Sequence, residues 1–125
     1  MSSLPRGMRA LLRGRPRRLL PQETAAPVRY LPVTVQGAVV GYLWASLDGL
    51  AAGYVNREPA GVAGEVAAGL WKMRLCDAHR EGVPSLEALR RCALAPQDRL
   101  SGIIGGDAPE RKLPGLRALR GLARQ

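Results

Sequence analysis

Two apolar runs joined by a single Gln-Gly pair constrain the fold of this chain more than any other feature. Val28-Arg-Tyr-Leu-Pro-Val-Thr-Val35 and Ala38-Val-Val-Gly-Tyr-Leu-Trp-Ala-Ser46 are rich in β-branched and aromatic residues, which suit a pleated, half-buried surface. Gln36-Gly37 has the length and the second-position glycine of a type I′ hairpin turn. That turn pairs Val35 with Ala38, Val33 with Val40, Leu31 with Tyr42 and Arg29 with Trp44 on one face. Thr34–Val39, Pro32–Gly41, Tyr30–Leu43 and Val28–Ala45 fall on the other. Both faces are largely apolar, so the sheet is expected to be covered on both sides. Pro32 has no N–H for a ladder, which puts the first strand at an edge or a bulge beside it.

Asp48-Gly49 signals a further turn. Ala51 to Val55 then reads as a third strand, with a helical turn as the alternative, and Pro59 and Gly61 end that section. Residues 61–81 have the spacing of a long helix. Val62, Val66, Leu70, Met73 and Cys76 form its expected inward stripe, flanked by Ala63, Ala67, Ala68, Trp71 and Leu75. Glu65, Lys72 and His79 recur every seven residues on a more polar side. The apolar arc is wide enough to meet the sheet on one side and another element beside it. Gly82 and Pro84 close this helix. Ser85 is the expected cap of a second, Leu86 to about Leu94, with Glu87 and Arg91 spaced as an i,i+4 pair. Pro114 opens a last short helix, Gly115 to Arg124, whose Leu116, Leu119 and Leu122 oppose Arg117, Arg120 and Arg124.

The expected fold class is therefore α+β. A small antiparallel hairpin or three-stranded sheet packs against one long and one short helix, between basic flexible termini. The organisation is a basic, disordered arm over 1–27, an α+β core over 28–95, and a Gly-rich connector with a short basic helix over 96–125. A foldable part of about 90 residues has a marginal core, so a partner or self-association is expected to complete its burial. The chain has no Phe; Tyr30, Tyr42, Tyr54, Trp44 and Trp71 supply all its aromatic area.

Charge is unevenly placed. Residues 1–20 carry six arginines and no acid, and residues 111–125 carry five cations and no acid; residues 21–110 hold eight cations and ten carboxylates. The overall +9 thus belongs to the ends. Arg9, Arg13, Arg15, Arg17, Arg18, Arg117, Arg120 and Arg124 are the candidate phosphate-contacting residues. Arginine outnumbers lysine 17 to 2, a bias that GC-rich codons produce without selection for phosphate binding, and which points to a bacterial source. The N-terminal segment also reads as a targeting peptide, or as sequence upstream of a later start at Met8 or a subsequent codon.

No pattern in the chain specifies catalysis. Cys76, His79 and Cys92, with Asp77 or Asp98, give one ligand pair and a singleton where a structural zinc site has two compact pairs, and no oxyanion-rich loop accompanies a cysteine nucleophile. Gly102-Ile-Ile-Gly-Gly106 lacks the Lys-Ser/Thr of a phosphate loop. Tyr42, Trp44 and Tyr54 read as core and not as a base-stacking platform. No metal or cofactor is expected. No signal peptide is evident, and the most apolar stretch, 33–55, is interrupted by Gln36 and Asp48, so the chain is expected to be cytoplasmic with no membrane span.

Tyr30-Leu-Pro-Val33, the strand meander and the long helix ending at Gly82-Val-Pro84 resemble the strand–strand–strand–helix order of HicB-type antitoxin domains. The Pro-Asp-Leu-Pro-Gly-Cys-like stretch that marks that family is missing, and no residue role is carried over from it. The expected function is a small non-enzymatic bacterial interaction or accessory module that completes its core with a protein partner or as a homodimer. The alternative is a nucleic-acid-associated protein that binds phosphate weakly and non-specifically through its two basic tails.

Overall fold

A computed structural model describes residues 19–94, 97–98, 100–105 and 108–125. Strands β1 (Val28–Val35) and β2 (Ala38–Ser46) form the hairpin, followed by β3 (Ala52–Asn56), a 3-10 turn at Glu58–Ala60, α1 (Gly61–Arg80) and α2 (Ser85–Leu94). A short strand β4 (Arg111–Leu113) and α3 (Leu116–Ala123) complete the chain. The four strands make one antiparallel sheet in the order β3-β2-β1-β4.

The hairpin turn is as its residues require: Gln36 and Gly37 both have positive φ, 52° and 81°, the type I′ geometry. The register beyond it differs from a plain two-residue ladder. Val35 pairs with Ala38 and Thr34 with Val39, but Val33 then pairs with Gly41 and Leu31 with Leu43. Val40 is the extra residue of a bulge, and a one-residue slip moves every later side chain to the opposite face. Tyr42 and Trp44 therefore lie with Val28 and Tyr30, not with Leu31 and Arg29. Pro32 is accommodated as well. Thr34 exchanges both backbone hydrogen bonds with Ile103 across the outer edge of β1. Pro32, two residues earlier, points its missing donor to the same edge, between that bridge and the three β4 pairs at residues 28–30.

The bulge sorts the core into two halves. On one face, Leu31, Val33, Leu43 and Tyr54 pack under α1 and α2 with Ala67, Trp71, Leu75 and Leu89. On the other, Val28, Tyr30, Tyr42 and Trp44 are covered by Leu116, Leu119 and Ala123 of α3. Tyr30 and Tyr42 meet there edge to face, ring centroids 5.5 Å apart. The sheet is thus covered on both sides. Residues before β1 also join the fold: Leu20 is buried, and the carbonyls of Pro21 and Pro27 accept hydrogen bonds from Ala52 and Leu47.

The long helix departs from its expected orientation. Its buried residues are Gly64, Ala67, Trp71 and Leu75, while Val62, Val66 and Met73 are 74%, 43% and 54% exposed. Closeness of approach is the physical reason. A Cβ at Gly64 would stand 2.5 Å from Asn56 Oδ1 and 3.1 Å from the Val40 carbonyl, so the helix start lies almost against the sheet. Only the small-residue stripe permits that, and Trp71 fills the space where the two diverge. Ser85 also differs from its expected role. Its hydroxyl donates to the Ser46 carbonyl (3.4 Å) and its N–H to the Gly49 carbonyl (3.0 Å), tying α2 to the turn after β2. The Pro84 carbonyl accepts the first helical bond instead.

Candidate interaction surface

Helix α1 carries apolar residues on two opposite sides. One is taken up by the sheet; the other points away from it. At 100° per residue, Val62, Val66, Gly69 and Met73 fall within about 60° of one another, opposite the buried Trp71. All four are exposed, and Leu70 and Cys76 border them half-buried. Single exposed apolar side chains are ordinary, but a continuous row along a helix is the usual mark of a surface that meets something.

The packing behind the row holds it rigid. Trp71 is fully buried, and its Nε1 donates to the Ser101 carbonyl at 2.5 Å. The Arg74 guanidinium lies 4.6 Å from the centre of that ring and pairs with Asp98 at 3.3 Å. Asp98 in turn accepts from the Ser101 N–H at 2.8 Å, and these hydrogen bonds hold its carboxyl below the ordinary value. The middle of α1 is thereby fastened to the loop after α2 as well as to the sheet.

The candidate phosphate-contacting arginines divide. Arg9, Arg13, Arg15, Arg17 and Arg18 lie outside the described residues. Arg117, Arg120 and Arg124 are exposed on the outer side of α3, but Arg120 is paired with Glu23, which holds that carboxylate below its ordinary range. A second cationic group sits at the β4 edge: Arg29 and Arg90 converge on Glu110, at 3.8 and 2.8 Å, beside the exposed Arg111 and Lys112. The charge pattern of the sequence counted Arg111 and Lys112 within the basic C-terminal end but did not place them on a sheet edge with Arg29 and Arg90, because β4 is only three residues long and reads as connector.

Cys76 and Cys92 are free thiols. Cys92 is buried, and desolvation pushes its thiol up from the ordinary value. Among the described residues, no three His, Cys, Asp or Glu side chains gather as metal ligands, and no helix is long and apolar enough to cross a membrane. Tyr42, Trp44 and Tyr54 are all buried, so none offers a face for stacking.

Comparison with protein-family models, curated proteins and solved structures gives no match to this chain.

The outward row of α1 was within reach of the sequence. The wide apolar arc implied two contacts, and Gly64, Ala67 and Ala68 beside Trp71 mark a side that can approach a sheet closely. Branched residues draw the eye to the other side, which is the one left in solvent.

Proposed function

We propose that this protein is a small, non-enzymatic interaction module that binds another protein through the outer face of α1. The observation that carries the reading is the exposed row Val62, Val66, Gly69 and Met73, held rigid by a fully buried Trp71. A rigid helix presenting apolar side chains at its surface is the half of a helix–helix or helix-in-groove contact that needs no rearrangement before binding. A photo-activatable cross-linker at Val66, in cells producing the full chain, tests this. A discrete protein adduct is expected at Val66 and none from the same group at Pro59, which is exposed but outside the row. Equal labelling at both positions, or at neither, contradicts the proposal.

A second reading has its own support. Arg111 and Lys112 at the sheet edge, and Arg117 and Arg124 on α3, are exposed cations on neighbouring elements, a footprint suited to phosphate. Affinity for duplex DNA should then fall steeply with salt, with a log–log slope of about 0.9 for each phosphate the protein neutralises. Salt-insensitive or absent binding removes this reading and leaves the first unaffected.

A further inference from the structure

We propose that α3 is the surface through which this protein meets duplex DNA: its outward arginines bind backbone phosphates, and Glu23 holds Arg120 until a phosphate takes its place. The inference rests on the phosphate-binding reading above and gives that reading a site, a ligand and a built-in competitor.

The layers on the two sides of the sheet differ in how their charges are balanced. Residues 57–98, which include α1 and α2, carry six cations and six carboxylates. Most of these meet one another: Arg74 pairs with Asp98, Arg80 with Asp77, and Arg91 with Glu81 and Glu87. Residues 111–125 carry five cations and no carboxylate side chain. Arg111 is in register with Tyr30 and Lys112 with Arg29, so Arg111 shares the α3 face and Lys112 lies on the other. Glu110 is already engaged by Arg29 and by Arg90 of α2. Among the described residues, only Glu23 pairs with a cation of α3, and no carboxylate pairs with Arg111, Arg117 or Arg124. Arg117, Arg120 and Arg124 lie within about 60° of one another around α3 and span about 10 Å of its rise. That span is close to three of the 3.4 Å steps between phosphates along one strand of a duplex.

The chemistry of the face selects the ligand. Leu116, Leu119 and Ala123 are buried against the sheet, so α3 has no apolar side to sink into a lipid surface. All five aromatic rings of the chain are buried, which leaves none to stack on unpaired bases. Ala118 and Gly121, between the arginines, carry no group that reads a base edge. The regular backbone of a duplex, bound without regard to sequence, suits such a face. Glu23 shows how an anion sits on it. Its two oxygens meet Nη1 (3.2 Å) and Nη2 of Arg120, the side-by-side geometry that a guanidinium also offers a phosphate. Hydrogen bonds from Ala52 to the Pro21 carbonyl and from Leu47 to the Pro27 carbonyl fasten the segment on both sides of Glu23. The pair itself is exposed, with 75% of the Glu23 side chain open to solvent. Exposed pairs are weak, so a phosphate can exchange with it.

Fluorescence anisotropy of a labelled DNA duplex of about 20 base pairs, titrated with the full chain at salt from about 50 to 200 mM, reads the proposal directly. Arg117→Gln and Arg124→Gln should each lower the log–log salt slope by about 0.9. Arg80→Gln, which removes the same charge from α1, should leave the slope unchanged. Glu23→Gln should tighten binding about two- to fivefold, and should have no effect once Arg120→Gln is present. All five positions are exposed, so each variant keeps the fold, as circular dichroism checks. Slopes that respond to the α3 variants no more than to Arg80→Gln overturn the inference, as does a Glu23→Gln gain that persists without Arg120. Tighter binding to the single strand of the same sequence, or displacement of the duplex by phosphatidylserine vesicles at equal phosphate, also overturns it. Salt-dependent binding by the parent would then leave the phosphate reading standing, with its contacts elsewhere. Salt-insensitive or absent binding by the parent removes both.

Discussion

Close contacts at single residues set the geometry of the sheet. Gly41 lies under the Tyr54 ring, and a Cβ there would stand 2.2 Å from Tyr54 Oη. Tyr54 is buried, so Gly41→Ala should cost about 1–3 kcal/mol by forcing a shift, measured by urea unfolding. The Trp71 indole N–H is a second such point. Trp71→Phe keeps an aromatic ring and removes the donor to Ser101, at an expected cost of about 1–3 kcal/mol. Glu110 gives a pH signature. Hydrogen bonds from Arg90, aided by the charges of Arg90 and Arg29, hold its carboxyl below the ordinary 4.5. A depressed pKa in the fold means stability that is complete above the ordinary value and lost as pH falls through the folded one. Glu110→Gln should therefore be less stable than the parent at neutral pH, with a shallower decline on acidification.

Among the elements, the orientation of α1 makes the sharpest distinction. Leu75 is 1% exposed, and Leu75→Ala should cost about 2–5 kcal/mol. Val66→Ala should stay within about 0.5 kcal/mol of the parent. Reversed magnitudes would mean that the helix is turned by half a revolution. The hairpin, α1, α2 and α3 were legible because each has a local signature: Gln36-Gly37, a 3.6-residue spacing, and Pro or Gly at the ends. The bulge at Val40 was not. A bulge is one residue among several β-formers, and nothing local separates Val39, Val40 and Gly41. Its consequence is large, since it sends Tyr42 and Trp44 to the α3 side of the sheet. Strand β4 was missed for a related reason: Arg111-Lys-Leu113 is too short for a pattern, and it pairs only because β1 offers it an edge.

For the whole molecule, the sheet needs covers on both faces, and α3 is the smaller of the two. Removing residues 115–125 would bare Val28, Tyr30 and Trp44, a patch large enough to drive aggregation; the truncated chain should be insoluble or bind a hydrophobic dye strongly. Charged ends and an apolar helix face divide the molecule by chemistry, so salt and detergent should disturb different contacts. The candidate face was legible only in part. Its apolar residues are plain in the sequence, but a helix apolar on two sides does not declare which side the sheet will take, and the deciding feature is the close approach at Gly64.

If α1 keeps Val66 in solvent in order to bind, then Val66→Asp should separate folding from association. Both are read on the full chain, by thermal unfolding and by an association measurement on the same sample. A carboxylate at an outward position costs the fold little, so Tm should remain within about 4 °C of the parent, equivalent to less than about 1 kcal/mol, while association is lost. A variant that unfolds would place Val66 in the core, and one that still associates at parental strength would place the binding face elsewhere.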